Sequence, residues 1–401
     1  MAARSPRPKP SKPGRPYDVV VFGATGFAGR LTADYLAQTA PPECRWAIAG
    51  RSEKKLAAVR DELAAGDASL AQLPLIGADV SDAASLRSLA ESTRVLISTV
   101  GPYVLYGDGV VAACAAAGTD YLDLTGEPEF VERTYARHHR TAAESGARIV
   151  HAAGFDSIPH DLGAYFTVLQ LPEGVPLEIA GYVRGEMRIS GGTFSTMLTG
   201  ASRMRQNLEA AREAKAARPA PDPNRRIRAR GGRPGRDPVD GGWVLPFPSL
   251  DPMIVARSAR ALDRYGPDFS YAHHISVPRL PQAAGLVGAV TGIALAAQIP
   301  PARRALQRRL EPGDGPSEER RARSWFTVTF VGTGGGQRVV TRVSGGDPGY
   351  TETAKMLGES ALCLAYDKLP VTAGQVTTAQ AMGEQLIDRL VKAGMGFDVI
   401  G

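Results

Sequence analysis

Cysteine, histidine, aromatic residues and long apolar runs are all scarce in this chain. Its three cysteines among 401 residues, Cys44, Cys114 and Cys363, show no paired spacing. An odd, unpaired set excludes a disulfide scaffold and fits a reducing compartment, with each thiol expected as a buried structural group. Histidine numbers six. The neighbours His138/His139 and His273/His274 direct their side chains apart, and His151 and His160 form no ligand pattern, so no metal is expected. The charge-free segment AAGLVGAVTGIALAAQI (283–299) has 17 residues, short of the roughly 20 that span a bilayer. Residues 1–16 contain no acid and no apolar run, which excludes a secretory signal and suits a disordered basic tail. A cytoplasmic location is therefore expected, with peripheral attachment at the inner face of the plasma membrane as a variant of it.

The net charge of +6 is unevenly distributed. The first 16 residues carry five bases, and residues 212–236 carry nine bases against Glu213 and Asp222, so the remainder is mildly acidic. The arginine stretch RRIRARGGRPGR (225–236) has little aromatic interleaving, which makes it a poor platform for nucleic acid. It is expected as part of an exposed loop over 211–241, or as a docking patch for an acidic carrier domain.

A chain of this length exceeds what one core supports, so two domains are expected. Residues 17–23 (YDVVVFG) are a β-branched run ending in glycine, as in a buried parallel strand. Helical and strand patterns then alternate: helix 27–40, strand 46–50, a helix opened by Ser52, strand 73–80, helix 82–91, strand 94–100, helix 108–117, strand 121–124, helix 128–145 and strand 147–153. That alternation predicts an α/β fold, a doubly wound parallel sheet of Rossmann type spanning 17–155. Beyond it, alternating strands near 177–189 and 325–344 suit an inserted α+β substrate domain over 156–349. Residues 350–401 are expected as C-terminal helices returning to the first domain.

The first strand leads into Gly23-Ala24-Thr25-Gly26-Phe27-Ala28-Gly29, a GxxGxxG variant of the dinucleotide fingerprint. Gly23 suits the turn, Gly26 lets main-chain amides approach a pyrophosphate, and Gly29 permits close helix packing. Thr25 and Phe27 belong to the same loop. The end of the second strand selects the cofactor. An acid there would bond the ribose 2′-hydroxyl, whereas this chain has Arg51 and Ser52, with Arg51 placed to grip a 2′-phosphate; NADP(H) is expected. Asp79 after the third strand is assigned to the adenine edge, and Thr99, Val100 and Gly101 to the crevice at the carboxyl end of the fourth.

These motifs bring the chain close to a known family. GATGFAGR (23–30), STVGPYVLYGDGVVAACAAAGTDYLDLTGE (98–127), HAAGFDSIPHDLG (151–163), GPSEERRARSWF (315–326), VSGGDPGYTETAKMLGESALCLA (343–365) and GQVTTAQAMGEQLIDRLVKAGMGF (374–397) resemble the saccharopine dehydrogenase-like oxidoreductases. Within them the match is to the trans-acting enoyl reductases of actinobacterial lipid synthesis. The resemblance implies reduction of a carbon–carbon double bond in a long fatty acyl or polyketide intermediate on the way to a glycolipid. The alternatives are a saccharopine-type C–N dehydrogenase, and a lipid-surface protein that keeps the nucleotide fold without turnover. Enoyl reduction needs a proton source beside the nicotinamide. Tyr103, Tyr106 and Tyr121 are the candidate phenols, with packing as the competing role for Tyr121. Segment 283–299 is either a buried helix or a lipid-facing one, the latter supported by the basic flank PARRALQRRL.

Overall fold

The computed structural model describes residues 14–185, 203–247, 249–299 and 316–401. The chain forms two compact units. One gathers the chain up to Thr125 with Arg133–Gly154 and Thr353–Leu390; the other gathers Gly126–Glu132, Phe155–Glu352 and Val391–Gly401.

The chain opens with β1 (Tyr17–Phe22), α1 (Phe27–Thr39), β2 (Trp46–Gly50), α2 (Glu53–Gly66), β3 (Leu75–Gly77), α3 (Ala83–Ser92) and β4 (Thr93–Ser98). It continues through α4 (Tyr103–Tyr106), α5 (Asp108–Ala117), β5 (Asp120–Asp123), α6 (Pro128–Ser145) and β6 (Arg148–Val150). The β-branched residues Val19, Val20 and Val21 are wholly buried, as a central strand covered on both faces requires. Ser52 caps α2 by accepting from the Lys55 amide, and α5 stops where Gly118 turns left-handed at φ 69°. β3 is shorter than the sequence suggests. Pro74 precedes it, and the Asp79 carboxylate folds back onto the Ser81 amide and hydroxyl, turning the chain out of the sheet.

Next come α7 (Ile158–Leu169), β7 (Leu177–Gly185), α8 (Met204–Ala217), β8 (Arg226–Gly231), β9 (Gly235–Arg236), β10 (Trp243–Pro246), α9 (Asp251–Ala261), β11 (Asp268–Val277), α10 (Leu280–Gln298), α11 (Glu318–Arg323), β12 (Phe326–Gly334) and β13 (Gln337–Gly345). The exposed loop expected over 211–241 is overturned here. Its first part completes α8, whose Ala210 and Ala214 are buried, and its arginine run becomes β8, paired in parallel with β11. Arg225 explains the local order: its guanidinium donates to the Ala259, Arg260, Leu262 and Gly266 carbonyls, capping the end of α9. Residues 1–13, the end of the 177–189 strand and the PARRALQRRL flank lie outside the described residues.

The chain ends with α12 (Thr351–Tyr366), β14 (Gly374–Val376), α13 (Thr378–Ala381), α14 (Gly383–Lys392) and β15 (Gly396–Val399). The segment 350–401 is thus more than helices: β14 joins β6 in parallel, and β15 pairs antiparallel with β13 in the second unit. The first unit's sheet runs β14-β6-β5-β4-β1-β2-β3, the doubly wound order whose direction reverses between β1 and β4. The second unit's sheet runs β15-β13-β12-β7-β11-β10-β9, with β8 on β11. Helices α7 and α9 pack against it, and along β7 Leu177, Ile179 and Val183 are buried while Glu178 is exposed.

Candidate functional site: a dinucleotide cradle and two carboxylate–imidazole clusters

The crevice at the β1/β4 reversal is built from backbone. Gly23 has φ 94°, a left-handed conformation that a side chain would strain. A methyl group at Gly29 would stand 2.2 Å from the Gly23 carbonyl oxygen and 2.7 Å from Thr99 Oγ1, so glycine alone lets α1 start this close to β1. Thr99 is tied to the loop from the other side, its amide and hydroxyl both donating to the Phe22 carbonyl. Gly26 is the residue before α1, and no side chain caps that helix. The partial positive charge of the terminus favours an anion there. These features fit a pyrophosphate.

The exposed Arg51 lies at the end of β2, immediately before Ser52 and α2. Asp79, past β3, is held below the usual carboxylate range, first by the Ser81 amide and hydroxyl and also by the Arg51 charge, so these two residues share one edge of the crevice. Thr25, Phe27, Val100 and Gly101 sit on the two loops that bound it, and Gly26 and Gly101 are exposed.

The three candidate tyrosines separate. The Tyr103 hydroxyl donates to the Ser98 carbonyl at 3.0 Å and receives the Leu124 amide at 3.5 Å, bracing the loops after β4 and β5. Tyr121 is fully buried in β5. Burial, and then the Asp123 charge, push its phenol well above its ordinary value. Both side chains are buried. Tyr106 is 44% exposed at the end of α4.

A cluster that sequence reasoning missed lies beside Tyr121. The register Leu122↔Val150 carries Asp123 and His151 to the carboxyl ends of adjacent strands. Asp123 Oδ2 meets His151 Nδ1 at 2.7 Å, and its Oδ1 accepts the Thr125 and Ala152 amides. His151 Nε2 meets the Thr134 hydroxyl at 3.0 Å. Ala152 is held at φ 58°, the only non-glycine residue with positive φ among the described residues.

The second unit has its own cluster. His160 near the start of α7, Asp251 at the start of α9 and His273 in β11 are each about 1% exposed as side chains. Asp251 Oδ1 lies 3.3 Å from His160 Nδ1, and its Oδ2 lies 3.4 Å from His273 Nε2. Burial lowers the affinity of both imidazoles for protons, taking His273 down to about 3. Burial and the Asp251 charge drive the neighbouring Asp156 up to about 7. The expectation that no metal ligands assemble rested on spacing along the chain; the fold brings together three such residues from separate elements.

A glycine cradle at the switch point of a doubly wound sheet, with a helical terminus free of side-chain caps, defines a dinucleotide-binding oxidoreductase. Residues 19–150 match the family described as the saccharopine dehydrogenase NADP-binding domain, which makes NADP(H) its cofactor class. The trans-acting enoyl reductase of Mycobacterium ulcerans is 37% identical over 411 residues, covering 95% of this chain and 97% of its own. The same-named protein of Mycobacterium tuberculosis H37Rv is 37% identical over 418 residues at the same coverage. The chain belongs to the trans-acting enoyl reductase family, a branch of the saccharopine dehydrogenase-like oxidoreductases. The saccharopine dehydrogenase (L-Glu forming) of Saccharomyces cerevisiae shares the fold, with a TM-score of 0.54 at 12% identity over 96% of this chain and 100% of that one.

Proposed function

We propose that the chain reduces the α,β-double bond of an enoyl thioester, delivered on an acyl carrier, with NADPH as reductant. The observation that carries this reading is the uncapped α1 terminus, fronted by Gly23, Gly26 and Gly29, with the exposed Arg51 beside it. The α1 amides bind the pyrophosphate, and Arg51 takes the 2′-phosphate through paired N–H donors. Thr99, Val100 and Gly101 shape the crevice wall, and Asp79 borders the adenine side. NADPH, when bound, supplies the hydride that adds to the thioester's Cβ. Tyr106 Oη then donates its proton to Cα and recovers it from solvent; its exposure suits it to that role, unlike Tyr103 and Tyr121.

Two surfaces support a lipid-linked, carrier-borne substrate. Arg226, Arg230 and Arg233 on and beside β8 are exposed and suit an acidic carrier domain. Helix α10, expected as either buried or lipid-facing, displays Val287, Val290 and Leu295 at 50–64% exposure. Among the described residues no helix is long and apolar enough to cross a membrane, so contact with a lipid surface would be peripheral. Anionic-liposome flotation tests this: substituting Val287 and Leu295 with serine is expected to reduce the floated fraction, and equal flotation excludes the contact.

NADPH oxidation with a pantetheine-linked enoyl thioester tests the reaction, against a 2-oxo acid plus an amine as the competing substrate pair. Turnover of the thioester alone is expected, and Tyr106→Phe is expected to lower kcat by roughly 100-fold or more. Turnover of the oxo acid and amine alone would replace this reading with C–N dehydrogenation.

A further inference from the structure

The cluster in the second unit is incomplete as a hydrogen-bonded network. Nδ1 and Nε2 of His160, Oδ1 of Asp251 and Nε2 of His273 are buried and make no hydrogen bond. Buried polar atoms are seldom left this way, and here four belong to three side chains that face one another. Their separations of 3.3 and 3.4 Å exceed the roughly 2.9–3.0 Å of an ordinary N–H···O bond. Two donors each about 2.05 Å from a zinc ion stand about 3.3 Å apart, the spacing of each imidazole from its own nearer carboxylate oxygen, Oδ1 for His160 and Oδ2 for His273. One ligand atom from each residue lies within 4.8 Å of the others.

The surroundings are those of a metal site. The Tyr271 hydroxyl lies 3.0 Å from His273 Nδ1, engaging the outer nitrogen so that Nε2 faces Asp251. Ser249 donates to Asp251 Oδ2 at 2.6 Å. Partners of this kind orient ligating imidazoles and carboxylates in metalloproteins. Phe155 packs edge-on against His160, and Phe247 stacks on His273, excluding water from the three. The polar groups around Asp251 are His160, His273, Ser249, Ser157 and Asp156, none of them a permanent cation.

We propose that His160, Asp251 and His273 bind one divalent transition-metal ion of the zinc class, as a structural clip that ties α7, α9 and β11 together. Two nitrogens and one carboxylate are a donor set suited to such ions, and complete burial fits a structural role. The proposal is independent of the reaction assigned above.

Full-length protein expressed in zinc- or cobalt-supplemented medium provides the test. About one equivalent of metal per chain is expected to survive dialysis. An anomalous difference peak is expected between His160, Asp251 and His273, and the cobalt form is expected to show visible d–d absorption. His160→Gln and His273→Gln are each expected to lose at least tenfold of the retained metal while keeping the wild-type far-UV circular dichroism. Less than a tenth of an equivalent in the wild-type protein, or an anomalous peak elsewhere, overturns the proposal, and so does full retention in both variants. Should either variant be insoluble, the wild-type metal content and anomalous map decide alone.

Discussion

Each unit buries an aspartate against histidine, and the two arrangements differ in one respect. In the first unit Asp123 is saturated: two main-chain amides and one imidazole meet its oxygens, and the far nitrogen of His151 is engaged by Thr134. In the second, Asp251 faces two imidazoles at distances too long for ordinary hydrogen bonds, and four polar atoms remain unbonded. The first cluster is built by strand register, which places its donors directly. The second is assembled from two helix starts and a strand, and its geometry suits an ion better than a proton. A carboxylate tied to main-chain amides supports its unit through the backbone, whereas one faced only by side chains depends on how those side chains are held.

Substitutions at the two aspartates should therefore differ in size. Asp123→Ala strands two amides and an imidazole, and is expected to cost about 3–5 kcal/mol, read as a lowered denaturation midpoint for the first unit. Asp251→Asn in chelator is expected to cost less, about 1–2 kcal/mol, because no main-chain amide is stranded and the Ser249 hydroxyl keeps an acceptor. Equal losses at the two positions would erase the distinction. Tyr121→Phe sharpens it on a smaller scale. It deletes a buried hydroxyl beside Asp123 while keeping the ring, and should leave stability within about 1 kcal/mol of wild type.

The smallest effect concerns Asp18, a carboxylate completed by arginines. Burial alone would raise its pKa, but hydrogen bonds from Arg45 and Arg94 outweigh burial and hold it below the usual value. The folded state thus binds its proton less readily than the unfolded chain. The resulting stability is present above the unfolded value of about 3.9, and is lost as pH falls through the lower folded one. Asp18→Asn should therefore lower the melting temperature modestly at neutral pH, with the difference from wild type closing as pH falls through the acid limb.

What the sequence made legible was local. The run Val19–Val21, the three glycines and Arg51 lie within 33 residues and announce both strand and cofactor by their order. The α/β alternation held through β6 because each element carries its own pattern, although β3 lost residues to the Asp79–Ser81 turn. The arginine run misled because its composition suggests solvent. Its structure depends on β11, some forty residues away, and on Arg225 capping a distant helix end. Tyr103 and Tyr121 were chosen for their place after strands, but their hydroxyls are governed by Ser98, Leu124 and Asp123 through contacts that only the folded sheet creates. The His160–Asp251–His273 cluster had no signal in spacing at all, since its members come from α7, α9 and β11.

The proposed reductase is keyed to NADPH through Arg51. Equilibrium titration of reduced-nucleotide fluorescence, with wild type and Arg51→Glu side by side, tests it most directly. Wild type should saturate at one nucleotide per chain and favour NADPH over NADH by roughly 10- to 100-fold, the scale of a charge-assisted phosphate contact. The variant should lose that preference while retaining NADH affinity. Saturation by neither nucleotide, or an equal weakening of both in the variant, would contradict the account.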